Sequence, residues 1–133
     1  MLQQTNVRAV PGVYIEFIRQ FPEPSVLADA DLGELERYFM PLGLSYRAER
    51  LQHCALLICS DFGGFVPCNR LNLMSLPGVG EYIADAVLCY GFGQSVVPID
   101  TNVIRLFCRF FGFSSNKARP RTDRVLMEEI RRR

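Results

Sequence analysis

Apolar residues recur every three or four positions along most of this chain, and this spacing places them on one face of an α-helix. The clearest run covers residues 101–111, where Val103, Ile104, Phe107 and Phe110 share one face. Strict alternation of apolar and polar residues, which is typical of strands, is almost absent. We therefore predict an all-α fold, a helical bundle with short turns between its helices.

Proline, glycine and capping residues mark where these helices should begin and end. The predicted helices end near residues 21, 40, 61, 90 and 111, and a last one runs from 122 to 133. Asp31 and Glu34 resemble a capping box for the helix that ends near residue 40, and Ser45 is expected to cap the next one. Gly63 and Gly64 are expected to close that helix.

Composition narrows the class of protein only in part. The 133 residues, 49% of them hydrophobic, predict one packed globular domain. No apolar run approaches the roughly 18 residues of a membrane span, and no signal peptide is recognisable, so we expect a cytoplasmic protein without a membrane partner. The five cysteines form no CxxC pair, which argues against a disulfide framework or a metal site. A net charge of +1 does not by itself imply a nucleic-acid partner.

Residues 76–84, with the sequence LPGVGEYIA, predict a helix-hairpin-helix between about residues 70 and 90. Gly78 and Gly80 flank Val79 in a tight turn that a side chain at either glycine would obstruct. The turn opens into a helix, and backbone N–H groups at a helix N-terminus suit an anionic oxygen such as a DNA phosphate. Leu76, Gly78, Val79 and Gly80 are therefore candidate DNA-binding residues.

Asp100 follows the loop that comes after this hairpin and directly precedes the helix of residues 101–111. From the local sequence alone, an aspartate at this position is most simply a helix N-cap. A carboxylate there can also carry chemistry, and the two roles are compatible.

The hairpin of residues 76–84 together with residues 96–105, VVPIDTNVIR, resembles the signature of the helix-hairpin-helix DNA glycosylases of the endonuclease III fold. Two branches of that superfamily are most similar to this chain. Residues 43–51 and 61–64 resemble the G/T-mismatch thymine and uracil glycosylases, whereas residues 1–5, MLQQT, resemble the adenine-specific enzymes. The resemblance extends over most of the chain.

This resemblance implies a base-excision repair enzyme that hydrolyses an N-glycosidic bond in double-stranded DNA containing a mismatched or damaged base. It places the catalytic carboxylate at Asp100, where it would stabilise positive charge on the deoxyribose and orient water. Tyr82 stands where strand-cleaving relatives carry a lysine, which implies a monofunctional enzyme. Gln3 and Gln4 match the region that fills the gap left by the flipped base. We expect thymine or uracil opposite guanine as substrate.

The resemblance also implies limits. Residues 1–133 match a single hairpin lobe, with its catalytic loop and helix at about 95–111, and we expect the chain to lack most of the second lobe. A missing lobe or a partner chain would then complete the cleft, and in a prokaryote the protein would be nucleoid-associated. We expect no cofactor in this chain, because the iron–sulfur cysteines of relatives lie beyond Arg133. Asp85 departs from the family pattern, which usually has a small apolar residue there.

Two alternatives stay open at this point. One is an adenine glycosylase that acts on adenine opposite guanine or 8-oxoguanine. The other is a truncated, non-catalytic DNA-binding lobe, since whether residues 1–133 are active alone is not decided by the sequence.

Overall fold

The computed structural model of the chain describes residues 10–42 and 45–132. Within these ranges the regular structure is entirely helical, which confirms the predicted all-α class. The α-helices of the described residues are α1 (Val10–Gln20), α2 (Pro24–Ala28), α3 (Leu32–Phe39), α4 (Tyr46–Phe62), α5 (Arg70–Met74), α6 (Glu81–Ala86), α7 (Thr101–Phe111) and α8 (Arg124–Arg131).

The described residues divide into two compact units. The first runs to Pro67 and includes Leu76–Gly78, and the second contains Cys68–Ser75 and the chain from Val79 onward. The hairpin turn therefore contributes residues to both units. The assignment of residues 1–133 to a single lobe stays a prediction.

The core of the first unit is built around an aromatic cluster. Phe17 packs edge-on against Tyr38 and Phe39, with ring centroids 5.7 Å and 6.0 Å apart, and lies 5.1 Å from Phe21. Leu35 is fully buried among these rings and their aliphatic neighbours. Because the rings come from α1, α3 and the residue after α1, the cluster fixes the packing of these segments.

The helix ends in the first unit follow the sequence signals at two of three positions. The side chain of Asp31 accepts a hydrogen bond from the Glu34 N–H at 3.0 Å, as predicted for the cap of α3. Gly63 ends α4 in the left-handed conformation, with φ of 62°. The prediction for Ser45 is wrong, because its backbone is already helical and its side chain makes no capping hydrogen bond.

The second unit has its own core, formed where α7, α8 and the loop before α7 meet. Ile99, Ile104, Leu126 and Ile130 are its buried members. Asp123 caps α8 and accepts hydrogen bonds from the Leu126 N–H and from the Ser115 hydroxyl at 2.8 Å. This cap makes α8 begin at Arg124, later than the predicted start at residue 122, because residues 120–122 form a 3₁₀ turn.

Candidate active site

Asp100 is the N-cap of α7, held at the end of the loop that leads from the hairpin. Its Oδ1 accepts hydrogen bonds from the N–H groups of Asn102 at 2.9 Å and Val103 at 2.8 Å. Its Oδ2 receives only the Asn102 side-chain amide, at 3.3 Å. The capping role is thus confirmed, and it occupies one carboxylate oxygen while the other retains most of its accepting capacity.

The position of Asp100 is fixed by its neighbours in the chain. Ile99 and Ile104 lie on either side of it in sequence, are only 5% and 4% exposed, and both belong to the core of the second unit. Asp100 itself is half-buried. A carboxylate anchored in this way needs little reorganisation to present its second oxygen to a ligand.

The two glycines of the hairpin turn, Gly78 and Gly80, have different backbone conformations. Gly78 has φ of 77°, which L-residues rarely adopt, so a side chain there would be strained. Gly80 has φ of −95° and ψ of −179°, which any residue adopts, and a Cβ at Gly80 would meet nothing within 4 Å. The prediction that a side chain at either glycine would obstruct the turn is therefore wrong for Gly80, where the backbone imposes no requirement.

The predicted DNA-binding residues of the turn differ in what they expose. Gly78 and Gly80 are exposed and Val79 is half-buried, and their N–H groups have no acceptor among the described residues. Leu76 is only 6% exposed, so it offers little surface to DNA. The DNA-binding role of these four residues stays a prediction.

Two contacts within the first unit hold the start of the turn, and neither was expected from the sequence. The Cys54 thiol of α4 donates a hydrogen bond to the Pro77 carbonyl at 3.0 Å, and burial raises the pKa of this thiol. The Arg50 side chain lies so close that its Cδ would be 3.4 Å from a Cβ at Gly78. Arg50 and Cys54 lie one helical turn apart on α4. This spacing occurs in every helix, so the sequence alone does not predict that these two residues contact the turn.

Tyr82 lies in the first turn of α6 and is 40% exposed, so its ring is accessible from solvent. The preceding residue, Glu81, forms ion pairs with Arg131 at 2.5 Å and Arg70 at 3.4 Å. The hydrogen bond from Arg131 is the main reason why the pKa of Glu81 lies below its usual value. One feature of the sequence indicates that cations lie near Glu81. Glu81 and Asp85 are like charges one helical turn apart, and such a pair destabilises a helix unless cations neutralise it.

Gln3 and Gln4, the predicted wedge residues, lie outside the described residues. Among the described side chains, no group of three His, Cys, Asp or Glu residues is placed to hold a metal ion. No helix of the described ranges is both long enough and apolar enough to cross a membrane.

A capped aspartate after a glycine-containing hairpin between two helices defines a helix-hairpin-helix protein with a candidate catalytic carboxylate. The profile of the HhH-GPD superfamily of base excision DNA repair proteins matches residues 1–132, and the chain belongs to this superfamily.

Its relatives are named DNA glycosylases. The chain is 42% identical to a thymine/uracil-DNA glycosylase of Pyrobaculum aerophilum over 95% of its length, and 40% identical to a thymine-DNA glycosylase of Aeropyrum pernix over 99%. It is 40% identical to an adenine DNA glycosylase of Mycobacterium tuberculosis over 82% of its length. It spans 55%, 60% and 36% of those three proteins, respectively.

Solved structures agree with this fold. A thermostable thymine-DNA glycosylase superposes with a TM-score of 0.88 and 31% identity over 98% of this chain and 60% of that one. A non-covalent endonuclease III–DNA complex superposes with a TM-score of 0.80 and 26% identity over 96% of this chain and 60% of that one.

Proposed function

We propose that this chain provides the DNA-binding hairpin and the catalytic aspartate of a monofunctional, mismatch-specific DNA glycosylase. Its substrate is thymine or uracil opposite guanine in duplex DNA, and its products are the free base and an abasic site. The observation that carries the proposal is the position of Asp100, which is anchored through one carboxylate oxygen, while the other accepts only the Asn102 side-chain amide at 3.3 Å.

The proposed chemistry follows from that carboxylate. As the N-glycosidic bond breaks, positive charge develops on the deoxyribose, and a fixed anion nearby stabilises this charge more than it stabilises the neutral ground state. The carboxylate also orients water and accepts a proton as the water attacks C1′. The N–H groups of Asn102 and Val103, which donate to Asp100 Oδ1, hold the carboxylate in place while it does so.

Tyr82 supports the monofunctional assignment. A phenol cannot form the Schiff base through which an amine nucleophile leads to strand cleavage. Replacing Tyr82 with lysine should allow a covalent adduct with DNA that borohydride traps. Absence of this adduct in a variant that still releases base would argue against a Tyr82 position facing C1′.

The hairpin supports duplex binding. The N–H groups at residues 78–80 have no acceptor in the part of the chain that the structure describes, and they are suited to a backbone phosphate, which fixes the position of the duplex without reading its sequence. Binding of this kind weakens as salt rises, because counterions are released from the DNA.

The choice of base rests on the relatives. Two thymine or uracil enzymes, 42% and 40% identical to the chain, match 95% and 99% of it, whereas an adenine enzyme of 40% identity matches 82%. The adenine alternative keeps the support of residues 1–5, which lie outside the described residues.

The test uses labelled duplexes that contain G·T, G·U, A·G or A·8-oxoguanine pairs and one fully paired control. The protein is incubated with each, and alkali then cleaves any abasic site. We expect cleavage of the G·T and G·U duplexes by the parent and none by the Asp100→Asn variant, which excludes a contaminating enzyme. Cleavage confined to the adenine duplexes would replace the proposed substrate. Salt-sensitive binding without cleavage would favour the DNA-binding lobe.

A further inference from the structure

Asp85 is a charged residue in the interior of the second unit. It lies on α6 and is 4% exposed. Its Oδ1 accepts a hydrogen bond from Arg70 Nε at 2.8 Å, and its Oδ2 lies 3.4 Å from Arg70 Nη2 and 3.7 Å from Arg131 Nη2. A buried carboxylate with two guanidinium partners is well compensated, since a single unpaired charge would be costly to bury.

The same two arginines also reach Glu81, one helical turn before Asp85. Arg131 Nη2 lies 2.5 Å from Glu81 Oε2, and Arg70 Nη2 lies 3.4 Å from the same atom. Arg70 begins α5 and Arg131 ends α8. The four residues, here called the α6 clamp, therefore connect both helices of the hairpin to the last helix of the described chain.

The α6 clamp determines how α6 is oriented about its own axis. Glu81 and Asp85 are four residues apart and occupy one face of the helix. An α-helix of six residues has little stability of its own, and α6 widens into a π-helical turn at residues 87–91. The ionic contacts at both ends of one face of α6 therefore restrict the rotation of this short helix about its axis.

Tyr82 is carried on this short helix, between the two acidic members of the clamp. It directly follows Glu81, so its ring lies about 100° around the helix from the Glu81 side chain. The Tyr82 side chain forms no hydrogen bond or ring contact within the described residues. The backbone of α6 therefore sets the direction of the Tyr82 Cα–Cβ bond and limits the ring to the few χ1 rotamers that a helix allows.

We propose that Asp85 and Arg131 are positioning residues that orient Tyr82 by clamping α6 between α5 and α8. Neither residue touches the reacting atoms. The consequence for base release rests on the proposed function, whereas the consequence for the Tyr82 ring does not.

The first experiment measures the ring directly in the full chain. The aromatic ¹H–¹³C signals of tyrosine are recorded, and Tyr82 is assigned by the signal that disappears in Tyr82→Phe. Asp85→Asn and Arg131→Gln should both shift the Tyr82 signal. Glu128→Gln and Arg124→Gln are matched controls, because they remove the same charges from exposed positions on α8 and should leave the signal in place. An unshifted Tyr82 signal in both clamp variants would overturn the proposal.

Arg131→Gln keeps the proposal testable if Asp85→Asn does not fold. The Arg131 side chain is 29% exposed, so its loss leaves no fully buried cavity, and Asp85 retains Arg70. Arg131→Lys retains the charge but not the fork that reaches both carboxylates, so its Tyr82 signal should lie between those of the parent and Arg131→Gln.

The second experiment measures base release in single turnover with protein in excess, at a temperature well below the unfolding transition of every variant. Each clamp variant should lose about 10- to 100-fold in rate, as expected for a displaced active-site group, with duplex affinity unchanged. In a Tyr82→Ala background, Asp85→Asn should lower the rate of base release less than twofold, because the side chain that Asp85 positions is absent. A further tenfold loss in that background would overturn the proposal.

The two experiments separate failure of this inference from failure of the proposed function. If the parent releases no base from any duplex, the proposed function fails, and the Tyr82 signal still decides whether the clamp orients the ring. If the parent is active and the clamp variants retain its rate and its Tyr82 signal, the positioning role fails while the proposed function stands.

Discussion

Replacing Asp100 by asparagine and by alanine separates the cap that this residue forms from the chemistry proposed for it. Asparagine keeps a side-chain oxygen that accepts the N–H groups of Asn102 and Val103, whereas alanine removes it. Both substitutions remove the negative charge. The two variants should therefore differ in stability and agree in catalysis.

The structure gives the expected size of each effect. Asparagine and aspartate are about equal as caps, so Asp100→Asn loses the interaction of the charge with the helix N-terminus, about 0.3–1 kcal/mol, and the long hydrogen bond from the Asn102 side-chain amide to Oδ2. Asp100→Ala also leaves two N–H groups without their acceptor, which adds about 0.5–2 kcal/mol. Each kcal/mol lowers the melting temperature of a chain of this size by roughly 3–5 °C.

Catalysis should respond to the charge rather than to the cap. Removing one preorganised electrostatic group from an active site typically costs about 10²–10³ in rate. We expect at least this loss in base release from both variants, measured in single turnover on the duplex that the parent processes. Thermal unfolding measured in parallel gives the stability of each variant.

Asp31 provides the matched control. It caps α3 through one hydrogen bond from the Glu34 N–H at 3.0 Å and has no proposed catalytic role. Asp31→Asn and Asp31→Ala should lower stability in the same order as the Asp100 variants and leave base release within twofold of the parent. If Asp100→Asn also keeps its rate, while Asp100→Ala loses activity in step with its melting temperature, then Asp100 is a cap only and the catalytic assignment is refuted.

Three further predictions concern the hairpin, a thiol and the α6 clamp. Gly78→Ala should destabilise the protein by about 1–2 kcal/mol because of its left-handed backbone, whereas Gly80→Ala should stay within about 0.5 kcal/mol of the parent; equal melting temperatures would contradict this difference. Iodoacetamide followed by mass spectrometry should label the exposed Cys68 well before Cys54, whose raised pKa and burial lower its thiolate fraction and access; faster labelling of Cys54 would argue against the contact with the Pro77 carbonyl. The folded-state pKa of Glu81 lies below its ordinary value of 4.5, so the ionised Glu81 stabilises the fold above pH 4.5, and this stabilisation is lost as the pH falls through the folded-state pKa. Acidification should therefore lower the melting temperature of Glu81→Gln less than that of the parent, as measured by thermal unfolding from pH 4.5 downward.

The sequence by itself determined the features that depend on neighbours within a few residues. The spacing of apolar residues predicted the helices, and the structure ends or begins most of them within two residues of the expected positions. The caps at Asp31 and Asp100 follow from hydrogen bonds in which the side chain reaches only two or three residues along its own chain. The left-handed Gly63 follows from a backbone hydrogen bond to the Ile58 carbonyl, five residues earlier. The hairpin and the aspartate after it were also sufficient to indicate the superfamily.

The sequence did not determine how two similar residues in one motif would differ. Gly78 and Gly80 lie two residues apart in one turn, yet only Gly78 adopts a positive φ. Ser45 has the residue type of a cap but a helical backbone, and its side chain makes no capping hydrogen bond. In each case, packing selects one of several backbone conformations that the local sequence allows.

Only the tertiary structure brought together Arg70, Asp85 and Arg131. Asp85 lies 15 residues from Arg70 in sequence, and Glu81 lies 50 residues from Arg131. The pairing of these charges depends on how α5, α6 and α8 pack, and no periodic pattern encodes this packing. A charge on an apolar helix face looks unfavourable in the sequence, and it is stable here because folding places two guanidinium groups beside it, which offsets the loss of its hydration.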